Sequence, residues 1–85
     1  MTWRVVLSHA AAHDLRRLDR KTADRVTRAV ARLAETGRDD VTRLRADDPE
    51  WRLRVGDWRV RLLFDYEDRA ITVLRVLPRG RAYRD

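Results

Sequence analysis

The segment Arg52-Leu53-Arg54-Val55-Gly56-Asp57-Trp58-Arg59-Val60-Arg61 leaves the chain few ways to fold. Apolar and basic residues alternate on both sides of Gly56-Asp57, which is the pattern of two strands joined by a two-residue hairpin loop. In that register Val55 faces Trp58, Arg54 faces Arg59 and Arg52 faces Arg61. Side chains alternate between the two faces of a strand, so the four arginines fall on one face. Leu53, Val55, Trp58 and Val60 fall on the other. Like charges set directly opposite each other cost ~0.2–1 kcal/mol per pair. Two such pairs side by side, with no carboxylate expected among them, describe either a solvated outer face or a surface that receives an anion such as a phosphodiester.

The rest of the chain supplies what this hairpin packs on. Eighty-five residues suffice for one domain with one small core. There is no cysteine, which excludes disulfides and thiolate metal sites. The apolar run Val5-Val6-Leu7 is too short for a signal-peptide core or a membrane span, and a cytoplasmic protein is expected. Formal net charge is +6, and nineteen of the twenty basic residues are arginine, Lys21 being the exception. A balance of this kind favours polyanionic partners.

Trp3 to Leu7 reads as a strand, and Ser8 as the N-cap of a helix running to about Leu18, with Ala11, Leu15 and Leu18 inward. A second helix begins near Arg20 or Lys21 and stops at Gly37. Its apolar stripe is Ala23, Val26, Val30 and Leu33, and Arg25, Arg28 and Arg32 lie on its outer face. Arg38 to Glu50 reads as a polar loop in which Leu44 turns inward. The second hairpin strand continues through Leu62-Leu63-Phe64 to a turn. Ala70 to Leu77 then forms a nearly all-apolar strand, expected to be central and to pair with the first strand. The fold class is therefore α+β, in the order β-α-α-β-β-β. A two-helix hairpin covers one face of a four-stranded, mainly antiparallel sheet, and the arginine face is left open as a basic bowl.

His9 and His13 have the i, i+4 spacing of metal ligands, but no third ligand accompanies them, and neither a metal nor another cofactor is expected. Asp39-Asp40 and Asp47-Asp48 read as loop caps and solvated acids, with shielding of the basic bowl as the other reading.

Three stretches together resemble one family. They are Trp51-Arg52-Leu53-Arg54-Val55, Asp57-Trp58-Arg59-Val60-Arg61-Leu62-Leu63-Phe64, and Val73-Leu74-Arg75-Val76-Leu77-Pro78-Arg79-Gly80-Arg81-Ala82-Tyr83-Arg84. In this order and at this length they resemble the RelE/ParE toxin superfamily of type II toxin–antitoxin systems, over residues 1–85 as a single RelE-like domain. The resemblance implies a toxin neutralised by a cognate antitoxin. In the RelE branch it implies a metal-independent endoribonuclease acting on mRNA in the ribosomal A site. The ParE branch implies an inhibitor of DNA gyrase, and a non-catalytic RNA-binding domain is a third reading. By motif match the catalytic residues are Arg59, Arg79 and Tyr83, and the RNA-binding ones Arg52, Arg54, Arg61 and Arg81. The pairing of Arg79 with Tyr83 favours the RelE branch, since a gyrase binder has no chemical use for it.

The implied reaction is attack of a ribose 2′-OH on phosphorus, giving a 2′,3′-cyclic phosphate. Where the family often has lysines on the first hairpin strand, this chain has Arg52 and Arg54. A guanidinium holds phosphate oxygens through paired hydrogen bonds but does not give up its proton near neutral pH. That leaves Tyr83 as the expected general base, its phenolate favoured by the surrounding positive charge.

Overall fold

The computed structural model describes residues 2–43 and 45–81. Strand β1 (Arg4–Leu7) leads into helix α1 (His9–Arg16), then α2 (Arg20–Thr36). Strands β2 (Val41–Thr42), β3 (Glu50–Val55), β4 (Trp58–Asp65) and β5 (Ala70–Pro78) follow, and a short 3₁₀ turn covers Arg79–Arg81.

Capping chemistry fixes both helix starts. Ser8 Oγ accepts the Ala11 N–H at 3.0 Å and donates to the Leu74 carbonyl at 2.8 Å, so one hydroxyl starts α1 and ties it to β5. Asp19 accepts the Thr22 N–H and starts α2. Gly37 ends α2 with φ of 71°, a left-handed conformation that costs glycine little, and its N–H closes on the Leu33 carbonyl. Helix α1 stops at Arg16, short of the expected Leu18, because only Arg17, Leu18 and Asp19 separate it from α2.

The sheet has five strands in the order β1-β5-β4-β3-β2. β1 pairs parallel with β5, and all other neighbours are antiparallel. The expected pairing of the first strand with the Ala70 strand is therefore present. The strand count differs from the expected four. Val41-Thr42, inside the stretch read as loop, pairs with Leu53 and Arg52 and adds a short edge strand. Two residues are too few to show an alternation. The extra strand also moves the middle of the sheet from β5 to β4. Leu44 lies outside the described residues.

The hairpin register is the one the sequence dictates: Arg52 opposite Arg61, Leu53 opposite Val60, Arg54 opposite Arg59 and Val55 opposite Trp58. Gly56 has φ of +59° and Asp57 does not have positive φ, the pattern of a type II′ turn with glycine first. Between β4 and β5 the register shifts: Arg61 faces Arg75 but Leu62 faces Val73, which leaves Leu74 as an extra residue. The bulge keeps Val60, Leu62, Val73 and Val76 all in the core despite their uneven spacing. These pack beneath Val26, Val30 and Leu33 of α2 and Ala11 of α1. Each fully buried Leu, Ile or Val contributes about 1.5–3 kcal/mol. Trp3, Trp51, Phe64 and Tyr66 extend this layer through edge-on ring contacts, so Trp3 and Trp51 are packing residues.

Candidate functional site

The site grows from the hairpin. Glu50, Arg52 and Arg54 alternate along β3, and Arg59 and Arg61 answer them from β4. Glu50 overturns the expectation that no carboxylate interleaves on this face. Its Oε1 accepts from Arg61 Nη2 at 2.7 Å, and its Oε2 stands 3.5 Å from Arg52 Nη1. The like-charged Arg52–Arg61 pair is thus bridged by a shared anion rather than left to repel. The signal was present: Glu50 lies two residues before Arg52, hence on the same face.

The four arginines, although in register, take three directions. Arg52 and Arg61 gather at Glu50. Arg59 folds back, its Nη1 donating to the carbonyls of Gly56 at 3.0 Å and Trp58 at 2.9 Å. Arg54 leans away to Asp40, with Nε to Oδ2 at 2.6 Å, and helps line a cleft against α2. The floor of the face is also closed rather than an open bowl, since Arg52 and Arg59 retain only 6% and 9% of their exposure. Arg61 Nε is buried and makes no hydrogen bond among the described residues.

The tail reaches the same corner. Leu77 faces Arg59 across β4–β5, Pro78 faces Trp58, and the Arg79 N–H donates to the Asp57 carbonyl at 2.8 Å. The start of the 3₁₀ turn is thereby pinned beside the hairpin loop, with Arg79 exposed two residues beyond the partner of Arg59. Arg81 diverges and lines a hollow with Asp14, Arg17, Trp58 and Arg75. Tyr83 lies outside the described residues.

Arg75 faces Arg61 in the strand pairing but sends its guanidinium to α1. Its Nε meets Asp14 Oδ2 at 2.8 Å, and the same oxygen accepts the Val76 N–H at 2.9 Å. β1 pairs only as far as Val73, so Asp14 satisfies the edge of β5 where no strand does. Burial alone would raise the Asp14 carboxyl. The hydrogen bonds from Arg75 and Val76, with the charges of Arg75 and His13, outweigh it and hold the carboxyl below its ordinary range.

His9 and His13 are exposed, and no group of three or more metal-ligating side chains occurs among the described residues. Asp39 and Asp40 are not merely solvated: Asp40 pairs with Arg54 of the hairpin, as the shielding alternative expects, whereas Asp39 pairs with Arg32 of α2, outside the bowl. Among the described residues no helix is long and apolar enough to cross a membrane.

The architecture is thus a five-stranded mixed sheet beneath two helices, with an arginine-faced hairpin formed by β3 and the central strand β4. The model of the ParE toxin family of type II toxin–antitoxin systems matches residues 5–83. This chain belongs to that family, within the RelE/ParE superfamily. Its structure is similar to that of a chain of the archaeal RelE–RelB complex of Pyrococcus horikoshii, with 28% identity and a TM-score of 0.79 over 96% of this chain and 100% of that one. It is also similar to a chain of the Mycobacterium tuberculosis toxin–antitoxin complex RelBE2, with 23% identity and a TM-score of 0.81 over 93% and 100%. For the isolated Escherichia coli RelE toxin the values are 14% and 0.80 over 96% and 89%. No curated protein matches the sequence.

Proposed function

We propose that residues 1–85 act as one toxin domain that cleaves mRNA in the ribosomal A site without a metal and is held inactive by a cognate antitoxin. The observation that carries this reading is the corner where Arg59 sits within the hairpin and Arg79 is pinned to the Asp57 carbonyl. Arg79 is thereby anchored through its backbone beside the hairpin that carries Arg59, and guanidinium groups that converge on a phosphoryl group suit the charge that develops on it during displacement.

In this reading the 2′-oxygen attacks phosphorus in line, its proton passes to Tyr83, and the bond to the 5′-oxygen breaks. The leaving oxygen takes a proton from solvent, and a 2′,3′-cyclic phosphate remains. Arg59 and Arg79 hold the non-bridging oxygens, Arg54, Arg61 and Arg81 bind the strand on either side, and the buried Arg52, expected from the motif to bind RNA, instead holds Glu50 beneath them. Glu50 already occupies Arg61, so a phosphate gains that guanidinium only by displacing the carboxylate. The ribosome supplies the orientation that a small, shallow site lacks.

The antitoxin has a suitable seat on the opposite side. Val5, Leu7, Leu15, Val26 and Val30 line an apolar groove of about 270 Å³ between β1 and the helices. Val5, Val6 and Leu7 are 39–45% exposed, unusual for such residues and suited to an amphipathic partner segment.

Inhibition of gyrase is the second reading, favoured by the match to the ParE family model. Induced expression with pulse labelling separates the two. Loss of protein synthesis ahead of DNA synthesis supports cleavage, and the reverse order supports gyrase. On programmed ribosomes Tyr83→Phe lowers cleavage roughly 10²–10⁴-fold, the usual worth of a positioned proton transfer. Undiminished cleavage removes Tyr83 from the chemistry.

A further inference from the structure

On the flank of α2 away from the apolar groove lies a second cleft, of about 300 Å³, lined by Arg25, Arg28, Ala29, Arg32, Arg54, Val55 and Gly56. Arg25, Arg28 and Arg32 stand at i, i+3 and i+7 and so form one stripe on the helix. Arg54 faces them from β3. The wall between them is set by the hairpin turn: a methyl group on Gly56 would stand 2.9 Å from Arg25 Nη2. Glycine therefore serves twice here, giving the turn its positive φ and letting a guanidinium lie against the backbone.

The charges in this cleft are unevenly matched. Asp39 pairs with Arg32 at 2.9 Å and Asp40 with Arg54 at 2.6 Å. Arg25 and Arg28 have no carboxylate within salt-bridge distance among the described residues. Both ion pairs are largely solvent-exposed on the arginine side, where such pairs contribute about 0–1 kcal/mol and are readily exchanged. An incoming anion therefore meets two unpaired guanidinium groups, and two more held by weak, replaceable partners.

We propose that this cleft is a second contact for a single-stranded RNA backbone, in which phosphates engage Arg25 and Arg28 and displace Asp39 and Asp40 from Arg32 and Arg54. The choice of RNA among polyanions rests on the function proposed above; the existence of an anion site does not. An acidic protein segment fits less well. Its docking needs apolar anchors, and the cleft offers only Ala29 and Val55, while the apolar surface of α2 is turned to the other groove. Arg54 stands between this cleft and the sheet-face arginines, so one strand passing the hairpin meets both.

The test is the binding of a fluorescent oligouridine of about 20 nucleotides, longer than a single small site covers. It is measured by anisotropy across a salt series with the full chain. Arg25→Gln/Arg28→Gln weakens binding about tenfold at low salt and reduces the slope of log K against log salt by about 1.4, two single-strand phosphate contacts at ~0.7 each. Asp39→Asn/Asp40→Asn tightens binding severalfold by removing the internal competitors. Circular dichroism confirms that both variants remain folded. An unchanged slope in the folded Arg25/Arg28 variant overturns the proposal. So does tighter binding of polyglutamate than of oligouridine with the same dependence on Arg25 and Arg28, which makes the cleft a protein site. Growth arrest is scored in parallel. Arrest that persists with an unchanged slope sinks the cleft alone, and RNA binding that needs Arg25 and Arg28 in a protein causing no arrest sinks the toxin reading alone.

Discussion

Arg52, Arg59 and Arg61 on the sheet and Arg25 and Arg28 on α2 are the same side chain in two opposite settings. The first three are buried or half-buried and held by Glu50 or by turn carbonyls. The last two stand exposed at the edge of a cleft with no carboxylate beside them among the described residues. A buried guanidinium is fixed in direction before any ligand arrives, and its acceptors depend on it in turn. An exposed one is a movable charge that adds attraction and little structure. The difference predicts that substitutions on the sheet disturb stability and function together, whereas those on α2 change binding alone.

The largest expected effect is at Arg59. Arg59→Ala lowers cleavage about 10²–10³-fold, the scale for losing one preorganised charge donor. It also removes the hydrogen bonds to the Gly56 and Trp58 carbonyls, at about 0.5–1.5 kcal/mol each. Ribosomal cleavage assays and urea melts read the two losses. If stability is untouched, Arg59 is not the structural element described here.

Glu50→Gln comes next. It removes the anion between Arg52 and Arg61 and costs about 2 kcal/mol, because it leaves partly buried positive charge without its counter-charge. RNA affinity rises in the same variant, since phosphate no longer competes with the carboxylate. A fall in both quantities would mean that Glu50 positions the arginines for RNA rather than occupying them.

Asp14→Asn probes a paired arginine outside both clusters, Arg75, and costs about 1–2 kcal/mol near neutral pH. The sign of its pH dependence follows from the depressed carboxyl. Its stabilisation is complete above the ordinary carboxylate range, near about pH 4, and disappears as pH falls through the lower folded value. The gap between wild type and variant therefore closes on acidification. The smallest effect is that of Arg25→Gln/Arg28→Gln on stability, within about 0.5 kcal/mol.

What the sequence revealed followed from periodicity. The hairpin register, the Ser8 cap, the Gly37 stop and the pairing of the first strand with the last were all legible, because each rests on local spacing or on the apolar character of β5; the parallel sense of that pairing was not. The resemblance carried by the three motifs agrees with the family match. What stayed hidden were contacts between distant segments. Val41-Thr42 is too short to announce a strand. The bulge at Leu74 precedes a contact, Arg75 with Asp14, between residues 61 positions apart. For the arginines, alternation correctly assigned the face but did not give side-chain direction. Arg54 leaves that face for Asp40 because β2 brings the acid alongside, a pairing that only the folded edge strand creates.

The most direct test uses Arg79→Ala, an exposed position whose loss spares the backbone bond to Asp57. Wild type and variant are incubated with programmed ribosomes, and the 3′ ends of the mRNA fragments are analysed. Cleavage ending in 2′,3′-cyclic phosphate is expected from the wild type, and at least a ~10²-fold loss in the folded variant. Equal cleavage by both, or intact mRNA with the wild type while gyrase supercoiling stops, contradicts it.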